Sequence, residues 1–207
     1  MKLTHHILTF FYPTLTWTKV TTAKKIYLTF DDGPIPEVTE WVLDLLKDYN
    51  IRATFFCIGD NIRKHPHIFK RILEEGHQIG NHTFNHYNGW KKTNKEYLQN
   101  TALCDLEIKK HTKKVCKLFR PPYGKIKRAQ SKALLQQGKE IIMWTTITKD
   151  YDIRISPEKC LDLATSNCKP GAILVFHDSI KASRNMKYAL PRTIEVLKEQ
   201  GYTFDTL

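Results

Sequence analysis

With 207 residues, 41% of them hydrophobic and 26% charged, the chain has the make-up of an ordinary globular protein and the length for one large domain or two small ones. No low-complexity tract, Gly/Ser linker or internal repeat interrupts it. The net charge of +12 is large, but the lysines are scattered, and the densest run (KKHTKK, residues 109–114) falls late in an expected helix, where cations suit the dipole. The charge therefore reads as a solvated face, and no nucleic-acid partner is expected.

The first twenty residues hold an apolar run broken by Pro13, too short for a spanning helix and without the small-residue cleavage pattern of a signal peptide. Residues Lys25 to Phe30 read as a strand. TEWVLDLLKDYN places Trp41, Val42, Leu45 and Leu46 at helical spacing, with Thr39 as its expected N-cap. ATFFCIG is a short apolar strand, PHIFKRILEEG a helix closed by Gly76, and HQIGNHT a third strand entering a loop. A long helix from Asn94 to about His111 precedes the brief strand KLFR. Then come a helix around Ala129 to Gln137, the strand EIIMW, and a helix opened by Ser156 with Pro157 in its first position. The strand AILVF, a helix from Tyr188 to Gln200 and a last strand, YTFDT, complete the chain.

About seven strands alternating with about six helices imply a mostly parallel sheet with right-handed crossovers. This pattern fits a closed or nearly closed β/α barrel and an open doubly wound sheet equally. No Gly-rich phosphate loop follows any strand. The five cysteines (Cys57, Cys104, Cys116, Cys160, Cys168) are odd in number and form no C-x-x-C pair, so neither a disulfide framework nor a cysteine zinc site is expected. Free thiols and the missing leader pattern favour a cytoplasmic location.

The polar residues fall at strand ends. Asp31 and Asp32 follow the first strand, His82 and His86 the third, Arg120 the fourth, Asp150 and Tyr151 the fifth, and His177 and Asp178 the sixth. In β/α folds those ends meet on one face, which carries the chemistry. HTFNH spaces two imidazoles by four residues, so one helical turn would aim both the same way. Two histidines and one carboxylate make a three-ligand site with an open position, the catalytic zinc arrangement. Such a cation also accounts for the paired aspartates, one binding it while the other stays free. The arginine of RPPYG is suited to grip a carboxylate in bidentate fashion, and His177 is suited to protonate a departing amine.

Through TFDDGP, HTFNH, RPPYG, KDYD and FHD, in that order, the chain resembles the polysaccharide deacetylases, the NodB-homology family of carbohydrate esterases, from about Lys25 to Gly201. The resemblance implies a distorted, incomplete (β/α) barrel as a catalytic domain over residues 25–207; the broken apolar run before it marks residues 1–24 as a retained segment expected to pack on that domain. It implies a metal-dependent hydrolase removing N-acetyl groups from an N-acetylated saccharide. Asp31 would be the general base, oriented by Arg120. Asp32, His82 and His86 would hold one divalent metal, zinc first, with cobalt, nickel or iron compatible. The Tyr123 N–H would help hold the oxyanion, and His177 would be the general acid, tethered by Asp150. Three positions depart from the family pattern: Ile147 in place of an aspartate, Tyr151 of a tryptophan and Val175 of a leucine. They touch the acetyl pocket, so another amide or an O-acetyl ester stays open as the substrate. The positive charge keeps open a reading of a different class, a non-catalytic binder of anionic polymer.

Overall fold

Strand β1 (Lys25–Asp31) sorts its side chains to two faces, as a pleated strand does. In the computed structural model, which describes residues 12–166 and 168–207, Ile26, Leu28 and Phe30 pack into the main core with Val42, Leu46, Ile72 and Leu190. Burying such side chains is worth roughly 1.5–3 kcal/mol each. That fixes the register, because a slip of one residue would exchange the apolar set with Thr29 and Asp31 and drive a carboxylate into the main core. Thr29 and Asp31 take the opposite face, where Phe56, Leu118, Ile142 and Ile173 form a smaller cluster.

The other strands are β2 (Thr54–Cys57), β3 (Gln78–Asn81), β4 (Leu118–Phe119), β5 (Glu140–Ile141), β6 (Thr146–Ile147), β7 (Ile173–His177) and β8 (Thr203–Asp205). All pairings are parallel, in the order β5-β4-β3-β2-β1-β7-β6, with β8 beside the start of β1. The seven-strand path curls into a distorted, incomplete barrel. Asp31 lies opposite both Phe56 and His177, and Asn81 opposite both Cys57 and Phe119, so the strand ends share one rim.

The helices are α1 (Val38–Asp48), α2 (Gly59–Lys64), α3 (Pro66–Glu74), α4 (Asn94–Lys109), α5 (Arg128–Gln136), α6 (Pro157–Thr165) and α7 (Ser183–Glu199). Ser156 caps α6 through its hydroxyl, with Pro157 next, as its sequence predicts.

Several elements differ from expectation. Thr39 is not the cap of α1: Glu40 returns to the Glu37 N–H, while the Thr39 hydroxyl is drawn to Asp178. The short α2 was not anticipated, because it buries only Gly59 and Ile62 and shows no periodic stripe. Helix α7 begins at Ser183, five residues before the expected Tyr188, since Met186 also faces the core. Of EIIMW only Glu140–Ile141 is strand. The next turn spends its backbone on Thr16 and Arg120 and leads to β6, an eighth strand absent from the sequence reading.

The expectation for residues 1–11 lies outside the described residues. Beyond them, Leu15 and Trp17 are buried with Phe119 and Ile141, and residues 16–19 bridge from Ile142 to Ala172. All five cysteines are free, with Cys57 in the core. Among the described residues no helix is long and apolar enough to cross a membrane.

Candidate active site

Adjacent carboxylates separate when the backbone turns between them. Asp31 ends β1 in extended conformation, whereas Asp32 sits at φ 88° in the left-handed region, which redirects its side chain. The turn is clipped to β7 and α1. Asp178 accepts the Gly33 N–H at 3.0 Å and the Thr39 hydroxyl at 2.6 Å, and donates its own N–H to the Asp31 carbonyl at 3.0 Å. A Cβ on Gly33 would lie 1.9 Å from Asp178 Oδ2, so only glycine fits there. Asn61 holds the Asp32 carbonyl at 2.7 Å. Burial pushes the Asp178 carboxyl up to about 8.

Arg120 is fully buried and lies over the Phe56 ring at 4.1 Å. Its Nη1 donates to Asp31 Oδ1 and Thr29 Oγ1, each at 2.7 Å, and its Nη2 to the Met143 carbonyl at 3.0 Å. The expected bidentate grip on a carboxylate is thus a single bond, because the remaining donors serve the main chain between β5 and β6. Burial alone would raise the Asp31 carboxyl, but Arg120, His82 and His177 outweigh it and hold it below its ordinary value.

His82 and His86 converge on Asp32, though not by the helical turn their spacing suggests. They lie in a loop in which Thr83 (φ 63°) and His86 (φ 53°) are both left-handed. His82 Nδ1 meets the Arg120 carbonyl at 2.7 Å. A carbonyl only accepts, so Nδ1 carries the hydrogen and Nε2 is left as a lone pair aimed inward. Burial pulls the His82 pKa down to about 4 and lowers that of His86 as well, so both are neutral ligands at pH 7. Their Nε2 atoms stand 3.8 and 3.2 Å from Asp32 Oδ1, a buried oxygen with no hydrogen-bond donor among the described residues. The three ligand atoms lie within 4.8 Å of one another. An orphaned carboxylate oxygen facing the Nε2 atoms of two imidazoles fits a divalent metal ion, which would supply its missing partner.

On the other bank, β7 delivers His177. Asp150, wholly buried, accepts the His177 backbone N–H at Oδ2 and its Nδ1–H at Oδ1, both at 2.7 Å. Burial disfavours the imidazolium, but Asp150, Asp32 and Asp31 overcome it and lift the pKa to about 9. Tyr151 packs edge-on to this imidazole with ring centres 4.8 Å apart. Val175 is fully buried two residues earlier and pairs with half-buried Ile147. Tyr123, at φ 60°, sets its ring 4.6 Å from His86.

All ten sequence-predicted site residues (Asp31, Asp32, His82, His86, Arg120, Tyr123, Asp150, Tyr151, Val175 and His177) therefore lie on or just beneath this rim. The sequence reading missed supporting groups. Thr29 shares Arg120 with Asp31, and Asn185 of α7 ties down the Asp150 and Asp152 carbonyls at 3.2 and 3.4 Å. Neither carries a sequence signal, since a lone threonine or asparagine is common. Asp178 was visible in FHD without its role.

Residues 18–142 match the family model described as polysaccharide deacetylase. The chain belongs to the polysaccharide deacetylase family. It is a hydrolase of this family, with the family's Asp-His-His metal-binding set present. It is 36% identical over 194 residues to a peptidoglycan-N-acetylglucosamine deacetylase of Bacillus cereus, covering 93% of this chain and 91% of that one. It is 35% identical over 190 residues to the peptidoglycan-N-acetylmuramic acid deacetylase PdaA of Bacillus subtilis, covering 90% of this chain and 71% of PdaA. In three dimensions it superposes on a peptidoglycan N-acetylglucosamine deacetylase, solved with 4-naphthalen-1-yl-N-oxidanyl-benzamide, at a TM-score of 0.90 and 33% identity, over 96% of this chain and 94% of that one.

Proposed function

We propose that this deacetylase removes N-acetyl groups from amino sugars of peptidoglycan, releasing acetate and a free amine. One observation carries the reading: the Asp32, His82 and His86 cluster is flanked by the Asp31 carboxylate held by Arg120 on one bank and the His177 imidazole held by Asp150 on the other. A base and an acid whose surroundings push their pKa values apart, set around one electrophile site, match hydrolysis of an unactivated amide. The relatives' names supply the polymer.

A divalent ion held by Asp32, His82 and His86 supplies Lewis acidity towards the acetyl oxygen and a lowered pKa for water. Two histidines and one aspartate suit zinc best, and cobalt, nickel and iron are compatible with the same donors. Asp31, kept ionised and oriented by Arg120, takes the proton of the attacking water. The Tyr123 N–H donates to the developing oxyanion. His177, whose imidazolium form the buried Asp150 favours, passes its Nε2 proton to the departing sugar nitrogen. Tyr151, Val175 and Ile147 shape the acetyl end of the pocket. A wall polymer as substrate is at odds with the cytoplasmic location expected from the cysteines, and the relatives favour the polymer.

Acetate release from purified glycan strands, chitin oligomers and O-acetylated xylan, assayed with the zinc-loaded protein, tests the reading. Release from the N-acetylated glycans is expected. Release from the ester alone would overturn it.

A further inference from the structure

Beyond the reacting centre, several exposed large apolar side chains gather on the same rim: Trp90 and Tyr123, 60% and 61% exposed, in the loops after β3 and β4, with Ile153 and Ile180 after β6 and β7. Trp90 is exposed yet fixed. Its Nε1 donates to the Ile126 carbonyl at 3.3 Å, and its backbone N–H to Asn88 Oδ1 at 3.0 Å. The two loops are stitched by Gly89 N–H to the Lys125 carbonyl at 3.1 Å, by Gln130 to the Gly89 carbonyl at 3.0 Å, and by Lys127 to the Lys92 carbonyl at 2.6 Å. A Cβ on Gly89 would meet the Lys125 carbonyl at 2.5 Å, so that glycine permits the close approach. Lys125 places its ammonium 5.1 Å from the centre of the indole and has no carboxylate partner among the described residues.

We infer that Trp90 and Lys125 form a subsite for the sugar next to the reacting one, with the indole stacking on the pyranose and the ammonium pairing with a carboxylate that the sugar carries. The inference rests on the deacetylase reading for where the chain of sugars runs. Tyr123 packs on His86, and Lys125 lies two residues further on, a reach of at most about 7 Å along the main chain. The subsite thus borders the metal cluster. A rigid aromatic face offers a large apolar area at low entropic cost, which suits the C–H face of a sugar. A neutral glycan would leave Lys125 without a counter-charge. A muramic-type sugar presents one, either on its lactyl ether or on an attached peptide.

The test is binding by the Asp31→Asn protein, measured calorimetrically at low and physiological salt, so that turnover plays no part. The probes are an N-acetylglucosamine monomer, a chitin tetramer, and tetrameric peptidoglycan glycans with and without their peptides. Adding Trp90→Ala should weaken every tetramer about tenfold and spare the monomer, while Trp90→Phe should keep most of the affinity. Adding Lys125→Gln should weaken only the carboxylated tetramers, about twofold to fivefold, and abolish their salt dependence. An effect confined to the peptide-bearing glycan assigns the carboxylate to the peptide; one seen equally without it assigns the lactyl group. Equal losses on chitin and on the carboxylated glycans with Lys125→Gln, or unchanged tetramer binding with Trp90→Ala, would overturn the inference. If wild-type protein released no acetate while these binding differences held, the deacetylase reading would fail and the subsite would stand.

Discussion

Asp31 and Asp32 share a peptide bond and have opposite surroundings. Asp31 is paired with a buried guanidinium, whereas Asp32 has an oxygen that no donor among the described residues reaches. Asp31→Asn should therefore retain metal and lose turnover by about 100- to 10,000-fold, the range for acid–base groups. Asp32→Asn should lose metal affinity as well, as elemental analysis of both variants would show. His177 offers a second test. In the metal-free protein its ring should titrate near 9 by NMR, and Asp150→Asn should bring that value down. Because the folded pKa lies above the unfolded value of about 6.5, the stabilisation from this pair is fully present below that value and fades as pH rises through about 9. Denaturant unfolding of wild type at pH 6 and pH 9.5 should show that loss, and Asp150→Asn should show a smaller one, because buried Asp178, raised to about 8, still titrates in both proteins. The identities of these residues were legible because each chemical group stands at a strand end within a specific motif. The left-handed turns that aim Asp32 and His86 were not, since Asp and His carry no spacing signal for positive φ.

At the scale of elements, the turn after β1 is held by a clip joining three pieces of chain: Gly33, Thr39 at the start of α1, and Asp178 after β7. Thr39→Val should cost about 1–3 kcal/mol by leaving a buried acceptor short of its donor. Gly33→Ala should cost more, because the new methyl enters the space of a carboxylate. Calorimetric unfolding would rank the two, and a Gly33→Ala protein as stable as wild type would contradict the clip. This is also where the sequence misled. Thr39 has the chemistry of a cap, and only the fold brings Asp178 near enough to compete for its hydroxyl. Likewise α2 and β6 are too short to carry a periodic pattern, and their existence follows from the neighbours they pack against.

Across the whole molecule, the open barrel is tied at one point by Arg120, which reaches β1 through Thr29 and Asp31 and the β5–β6 connection through Met143. A buried cation that loses its role leaves its partner uncompensated. Arg120→Met should destabilise the fold by about 3–5 kcal/mol, and adding Asp31→Asn should restore part of it. The alternation of strand and helix announced a parallel β/α fold. Periodicity could not choose between barrel and open sheet, because curvature depends on how side chains such as Phe56 and Arg120 fill the interior. The central claim is that Asp32, His82 and His86 hold the ion on which deacetylation depends. Its most direct test is acetate release from N-acetylated glycan oligomers by chelator-stripped protein, followed as zinc is added back. The account predicts no release without metal and a rise that saturates at about one equivalent per chain, the stoichiometry of a single three-ligand site. Full release from the stripped protein, or an unchanged titration in His86→Ala, would contradict it.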